Sequence, residues 1–186
     1  MIFLPNHAQK RSFDLILFGK SIGYLDAERK VGANGIEMYT LFCKASSKIL
    51  WKNIDAETRF TVTFVNGELV DSYYEHKENG MVEKYCKISK SASGKYQVHH
   101  HKNGKFEAPS GADYGLLHVY FKEPSSRQKM FNEARGEYTD FKSIKPNTYE
   151  YKTPDGSRNV YVYNNGKLEF GKFHTSIATV KLKPKF

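Results

Sequence analysis

Arg59-Phe60-Thr61-Val62-Thr63-Phe64-Val65, followed by Asn66-Gly67, opens the stretch that decides the fold. The stretch runs from Thr58 to Phe106, and Asn79-Gly80, Ser93-Gly94 and Asn103-Gly104 divide it further. Asn-Gly is a strong hairpin signal, because a type I′ turn needs φ > 0 at both central residues; Asn tolerates that region and Gly adopts it freely. Between the turns, Phe60, Val62 and Phe64 fall on one face of a strand, with Thr61 and Thr63 on the other. The stretch therefore reads as an antiparallel meander.

The same grammar continues in both directions. Towards the N-terminus, Ser12–Phe18 reads as a strand and Gly19–Gly23 turns it. Tyr24–Lys30 runs back, Gly32–Gly35 turns again, and Ile36–Cys43 is apolar on both faces near its centre. Ile49, Leu50 and Trp51 form an apolar knot that reads as a corner plug. Towards the C-terminus the pattern breaks at Ala108-Pro109. There Ser110–Asp113 can cap a short helix over Tyr114–Phe121, ended by Pro124, although the apolar run fits a strand almost as well. Hairpins resume from Tyr138 to Leu182. The predicted fold class is all-β: a strongly curved antiparallel sheet of about a dozen strands, half-barrel or barrel-like, with one or two short helices near residues 112–135. A sheet of that size must curl, close or split, so a closed barrel or a sandwich is the alternative.

Composition agrees. The chain has 186 residues, 39% of them hydrophobic, with 13 Tyr and 13 Phe, a profile that suits pleated sheets with one wet face. A formal net charge of +9 favours anionic partners. The basic residues are nevertheless spread along every strand, with no run of five like charges, so nucleic acid is not expected as a partner. No stretch approaches 18 uninterrupted apolar residues, so no membrane-spanning helix is expected. Charges on most strand faces also argue against an outer-membrane barrel.

Residues 1–9 read as the remnant of an export signal: Ile2-Phe3-Leu4, the helix breaker Pro5, then Ala8-Gln9 as a cleavage point. Residues 10–186 are then a single β domain, exported to the periplasm or cell surface. Export would permit a disulfide between Cys43 and Cys86. In a simple meander, however, they sit on the third and sixth strands, ~14 Å apart, while a disulfide needs Cα atoms within ~7 Å. Two free, buried thiols are expected.

His99-His100-His101 places two imidazoles on one strand face, with His76 or Glu107 as a third metal ligand within reach. Beside the Asn103-Gly104 turn, on a Lys-flanked strand, the run reads instead as solvent-facing. The sequence has no nucleophile elbow, paired-carboxylate motif or phosphate loop, so neither catalytic residues nor a cofactor are expected.

The chain resembles a family of small exported bacterial proteins known as a domain of unknown function. The resemblance rests on Gly19-Lys20-x-Ile22-Gly23, Phe64-x-Asn66-Gly67, Tyr120-Phe121-Lys122-Glu123-Pro124, Pro154-Asp155-Gly156, and Asn159-x-Tyr161-x-Tyr163-x-Asn165-Gly166. It departs at Met130-Phe131-Asn132-Glu133, where the family often carries a Phe-Ser-Glu-like segment. The resemblance implies export and a curved sheet similar in outline to periplasmic lipoprotein carriers. It brings no activity and no catalytic residues.

The functional expectation is therefore a non-enzymatic cell-envelope module whose concave sheet holds an elongated, apolar, anionic ligand of lipid type. The expected pocket is bordered by Phe60, Val62, Phe64, Leu116, Leu117, Tyr120 and Phe121, with Lys84 at its rim. Lys84 interrupts an apolar face, and an unpaired ammonium there must reach a rim or a cavity. The alternative is a structural or assembly partner at the envelope with no small ligand, and a further one is an uncharacterised enzyme.

Overall fold

The computed structural model describes residues 7–49, 52–125, 129–153, 156–174 and 178–185. Among these described residues fourteen strands follow one another in order: β1 His7–Leu17, β2 Lys20–Val31, β3 Ile36–Ile49, β4 Lys52–Val65, β5 Glu68–Glu78, β6 Met81–Lys90 and β7 Tyr96–His100. After them come β8 Gly104–Ala108, β9 Lys129–Asn132, β10 Glu137–Lys145, β11 Thr148–Lys152, β12 Arg158–Asn164, β13 Lys167–His174 and β14 Thr179–Pro184. They form one antiparallel sheet, ordered β8-β7-β6-β5-β4-β3-β2-β1-β14-β13-β12-β11-β10-β9. The sheet curls without closing, and β8 and β9 are its two edges. The all-β, strongly curved class read from the turn signals is the class observed.

Turn chemistry sets the registers. Asn66-Gly67, Asn79-Gly80 and Asn165-Gly166 all hold both residues at positive φ. Shifts in register beside several hairpins, such as Thr63/Phe64 and His76/Lys77, add local twist and help the sheet to curl. At Gly23 the curl brings strands so close that a Cβ would sit 2.0 Å from the carbonyl oxygen of Lys44. The boundary drawn after residue 9 falls inside β1, because His7, Ala8 and Gln9 pair with Val31, Lys30 and Arg29. Leu50 and Trp51, read as a corner plug, lie outside the described residues, as do Pro154 and Asp155.

The connection from β8 to β9 leaves one edge of the sheet and returns at the other. Between Pro109 and Ser125 it passes as a strap across the concave side. Its helical content is one 3-10 turn, Leu116–Tyr120. Among the described residues, the helix expected near residues 112–135 is thus confined to that turn, and Lys129–Asn132 is strand β9. Asn132 explains the difference: its carbonyl accepts from the N–H groups of Arg135 and Gly136, a tight reversal that pairs β9 with β10.

A buried strap must find partners for its backbone polar groups. The N–H of Leu69 donates to the Ala112 carbonyl and that of Phe131 to the Tyr114 carbonyl, both at 2.9 Å. The Tyr163 hydroxyl donates to the Val119 carbonyl at 2.7 Å, and the Tyr96 hydroxyl accepts from Ala112 N–H at 3.1 Å. The Tyr149 hydroxyl donates to Glu123 at 2.9 Å. The first N–H of the 3-10 turn, on Leu116, donates to Glu133 Oε2 at 2.8 Å. His118 Nδ1 accepts from Gly115 N–H, and its ring lies 4.6 Å from both Tyr39 and Phe64.

Glu133 is fully buried, and its Oε1 has no hydrogen-bond partner among the described residues. Burial pushes its carboxyl up to about 7 from an ordinary 4.5, against the Leu116 hydrogen bond, which favours the ionised form. A Cβ added at Gly115 would meet that Oε1 at 1.9 Å, so glycine is required by contact and not by conformation.

Two outcomes follow for stability. Gly115→Ala should destabilise by about 1–3 kcal/mol, as overpacking does, and Glu133→Ala in the same chain should relieve part of that loss, measured as a double-mutant cycle in urea. Glu133 binds its proton more tightly folded than unfolded. Its contribution is therefore present in full below pH 4.5 and lost as pH rises through about 7. The loss is on the order of 3 kcal/mol, and Glu133→Gln should flatten the stability profile across that window.

Candidate ligand-binding cleft

The strap fills one end of the curl and leaves the other open. Along β3, β4 and β5, inward side chains form successive rows. Tyr39, Val62 and Ser72 make one row, Leu41, Phe60 and Tyr74 the next, and Cys43, Thr58 and His76 a third, which Lys84 and Leu25 extend on either side. The first row lies under the strap. The third borders a cleft between the β2–β7 wall and the β11–β13 wall.

The inner part of this cleft has a volume of about 240 Å³ and is mainly apolar. Leu25, Leu41, Cys43 and Phe60 line one side, Tyr161 and Phe173 the other, and Leu116, Leu117 and Tyr120 of the strap form its floor. The outer part, about 490 Å³, shares Thr58, Phe60, Leu116 and Asn159 with the inner part. It adds Tyr74, Tyr151, Lys84, His100, His101, Lys102 and Arg135. An apolar throat thus leads to a mouth rimmed by cationic and imidazole groups. The outer volume lies within the range of ~300–1,000 Å³ usual for ligand sites. Two other depressions, about 360 and 380 Å³, lie between exposed charged side chains on the wet faces of the strands and have no comparable apolar floor.

Of the residues expected to border the pocket, Phe60, Leu116, Leu117 and Tyr120 line its inner part and Lys84 its mouth. Val62, Phe64 and Phe121 do not. Val62 and Phe64 are fully buried against the strap, and Phe121 packs 5.7 Å from the ring of Tyr39. The difference is one of depth along the same face, because the strap covers the rows nearest the β4–β5 turn. Lys84 precedes Cys86 and Ile88 on the inward face, and the break in apolar pattern marks where the buried wall becomes rim.

Sequence reasoning missed the opposite wall. Tyr161 and Asn159 stand in a quoted motif, yet nothing local says that they face Phe60 across the curl. His100 was also misread as solvent-facing. It is buried, and its Nδ1 accepts from the N–H groups of Lys102 and Asn103 at 3.3 and 3.2 Å. Burial first, then His101, lowers its pKa, so the ring is held neutral. The proposed third ligands are occupied elsewhere. His76 Nδ1 is 2.8 Å from Thr58 Oγ1, and Glu107 binds Lys95 and Gln97. Among the described residues no three His, Cys, Asp or Glu side chains are placed to hold a metal ion.

The family profile described as "Domain of unknown function (DUF6134)" matches residues 13–185. A solved structure similar to this chain is the beta-barrel-like protein of domain of unknown function DUF1849 from Brucella abortus. The TM-score is 0.64 at 11% identity, with 95% of each chain covered, a likeness of fold alone. No curated protein matches.

Cys43 and Cys86 lie on β3 and β6 with two strands between them, and both are free thiols; Cys86 is buried as expected, but Cys43 is only half-buried, because it lines the throat. Burial pushes Cys43 up to about 11; burial and then the charge of Glu133 push Cys86 up to about 12. A thiolate is the reactive form. Native protein at pH 7–8 should therefore resist thiol reagents until denatured, when two equivalents react; rapid labelling of either cysteine in the folded state would contradict this account of the cleft wall.

Proposed function

We propose that this chain, which belongs to the DUF6134 family, is a non-enzymatic binding module that holds an elongated, apolar ligand with one anionic group. The observation that carries the reading is a curled sheet plugged at one end only. The strap satisfies the rows around Tyr39 and Phe64, while Phe60, Tyr161 and Phe173 face each other across an unfilled throat. Apolar surface of that kind gains about 25 cal/mol per Å² when a ligand removes it from water. Lys84 at the mouth has no ion pair among the described residues, and an anionic head group would supply one.

The non-enzymatic part is supported by the state of the interior groups. Both thiols are held protonated, His100 is neutral and bonded to backbone, and Glu133 is sealed beneath the strap. Export to the periplasm or cell surface belongs to the proposal. It rests on the resemblance to an exported family carried by stretches such as Asn159–Gly166, and fractionation of the native protein in its own host tests it.

The functional test is native mass spectrometry of protein purified from that host, followed by titration with dodecanoic acid and dodecanol. A bound lipid-like species, and tighter binding of the acid than of the alcohol, are expected. Lys84→Glu should weaken the acid about tenfold, the scale of one charge-assisted contact, and leave the alcohol unchanged. Ligand-free protein that binds neither compound would leave only the role of a structural or assembly partner.

A further inference from the structure

In an up-and-down meander, alternate turns lie at the same end of the sheet. The turns after β1, β5, β7 and β9 therefore share one end. It is the end into which the cleft opens, because His101 and Lys102 of the β7–β8 turn and Arg135 of the β9–β10 turn line the mouth.

Two turns at that end are chemically odd. Most tight hairpins of the sheet place Asn in the left-handed position before Gly, as at Asn66, Asn79 and Asn165. The β1–β2 hairpin places Phe18 there, at φ 49, followed by Gly19 at φ 80. The left-handed region is unfavourable for a residue with a bulky side chain and no local hydrogen-bonding group. The strain brings no packing in return, since the Phe18 side chain is 80% exposed. On the β5–β6 hairpin, Met81 and Val82 are 66% and 50% exposed immediately after the Asn79-Gly80 turn. Thus three of the five exposed large apolar side chains among the described residues sit on turns at the open end; Ile144 is at the opposite end, and Tyr138 donates to Ser110 of the strap. Lys20, Lys84 and Lys102 accompany them, all exposed and without an ion pair among the described residues. Glu83, beside Val82 and Lys84 in the chain, and Asp55, whose backbone bonds Asn79, are exposed acids at the same end.

We propose that this end is a docking face for an anionic phospholipid bilayer, with Phe18, Met81 and Val82 entering the interface and Lys20, Lys84 and Lys102 meeting lipid head groups. Exposed apolar tips ringed by cations bind interfaces by combining burial with attraction to anionic lipid. The net charge of +9 adds long-range attraction. The face is continuous with the cleft mouth, so a docked molecule would hold its throat against the source of an apolar ligand. Docking goes beyond the cleft reading and stands without it.

The discriminating variant is Phe18→Asn, which restores the common Asn-Gly turn. It should raise the thermal midpoint by relieving strain and weaken binding to vesicles about tenfold or more, the scale of one buried Phe. The vesicles are 30% phosphatidylglycerol in phosphatidylethanolamine, with sedimentation as readout and neutral phosphatidylcholine vesicles as comparison. Met81→Ser should weaken binding too, and Lys102→Glu should reduce the preference for anionic vesicles. Dodecanoic acid binding in solution by Phe18→Asn should be unchanged, which separates failure of docking from failure of the cleft. Wild-type protein that ignores the anionic vesicles, as it would if the face served a protein partner, overturns the proposal. So does vesicle binding that persists in both Phe18→Asn and Met81→Ser, since that would be adsorption of a basic protein alone.

Discussion

A segment of irregular backbone crosses the inside of a curled sheet, and every polar group it carries there must be satisfied. Loops usually avoid interiors for this reason. Here the partners come from side chains placed on the facing walls: the hydroxyls of Tyr96, Tyr149 and Tyr163, the imidazole of His118 and the carboxyl of Glu133. Glu133 bears the greatest cost, because it is sealed from water with one oxygen unpartnered among the described residues. Tyr96, Tyr149 and Tyr163 suit this task. Each ring packs as core while its hydroxyl remains available to the strap.

The strap also determines where the molecule is hollow. It joins the two edges of the sheet and so occupies the concave side from Ala112 to Phe121, nearest the β2–β3 and β4–β5 turns. Beyond Leu116 and Tyr120 it does not reach, and the walls stay apart. The hollow begins where Leu116, Leu117 and Tyr120 of the strap form its floor. Apolar throat, cationic mouth and exposed hairpin tips then fall in one direction, because alternate turns of a meander must share an end.

Much of the sheet was legible because its information is local. Asn66-Gly67 or Asn165-Gly166 declares a hairpin within two residues, and alternation places Phe60, Val62 and Phe64 on one face. What the sequence could not show is how deep each row lies, since that depends on contacts across the curl. Val62 and Phe60 are indistinguishable by pattern, yet Val62, paired with Tyr39, is fully buried and Phe60 lines the throat. Strand β9 went unread because four residues carry little periodicity, and Glu133, though it ends the quoted Met130–Glu133 segment, is recognised as buried only once Gly115 is seen against it. Lys84 was the exception: a charge on an apolar face is a local signal of a boundary, and the boundary is there.

The most direct test of a throat left open by the strap is a crystal structure of the protein soaked with 12-bromododecanoic acid, with anomalous scattering recorded at the bromine edge. The account predicts an anomalous peak between Phe60, Tyr161 and Leu116, with the carboxylate density running outward to the mouth beside Lys84. Bromine found only on the outer faces, or a throat in which Phe60 and Tyr161 close directly upon each other, would contradict it.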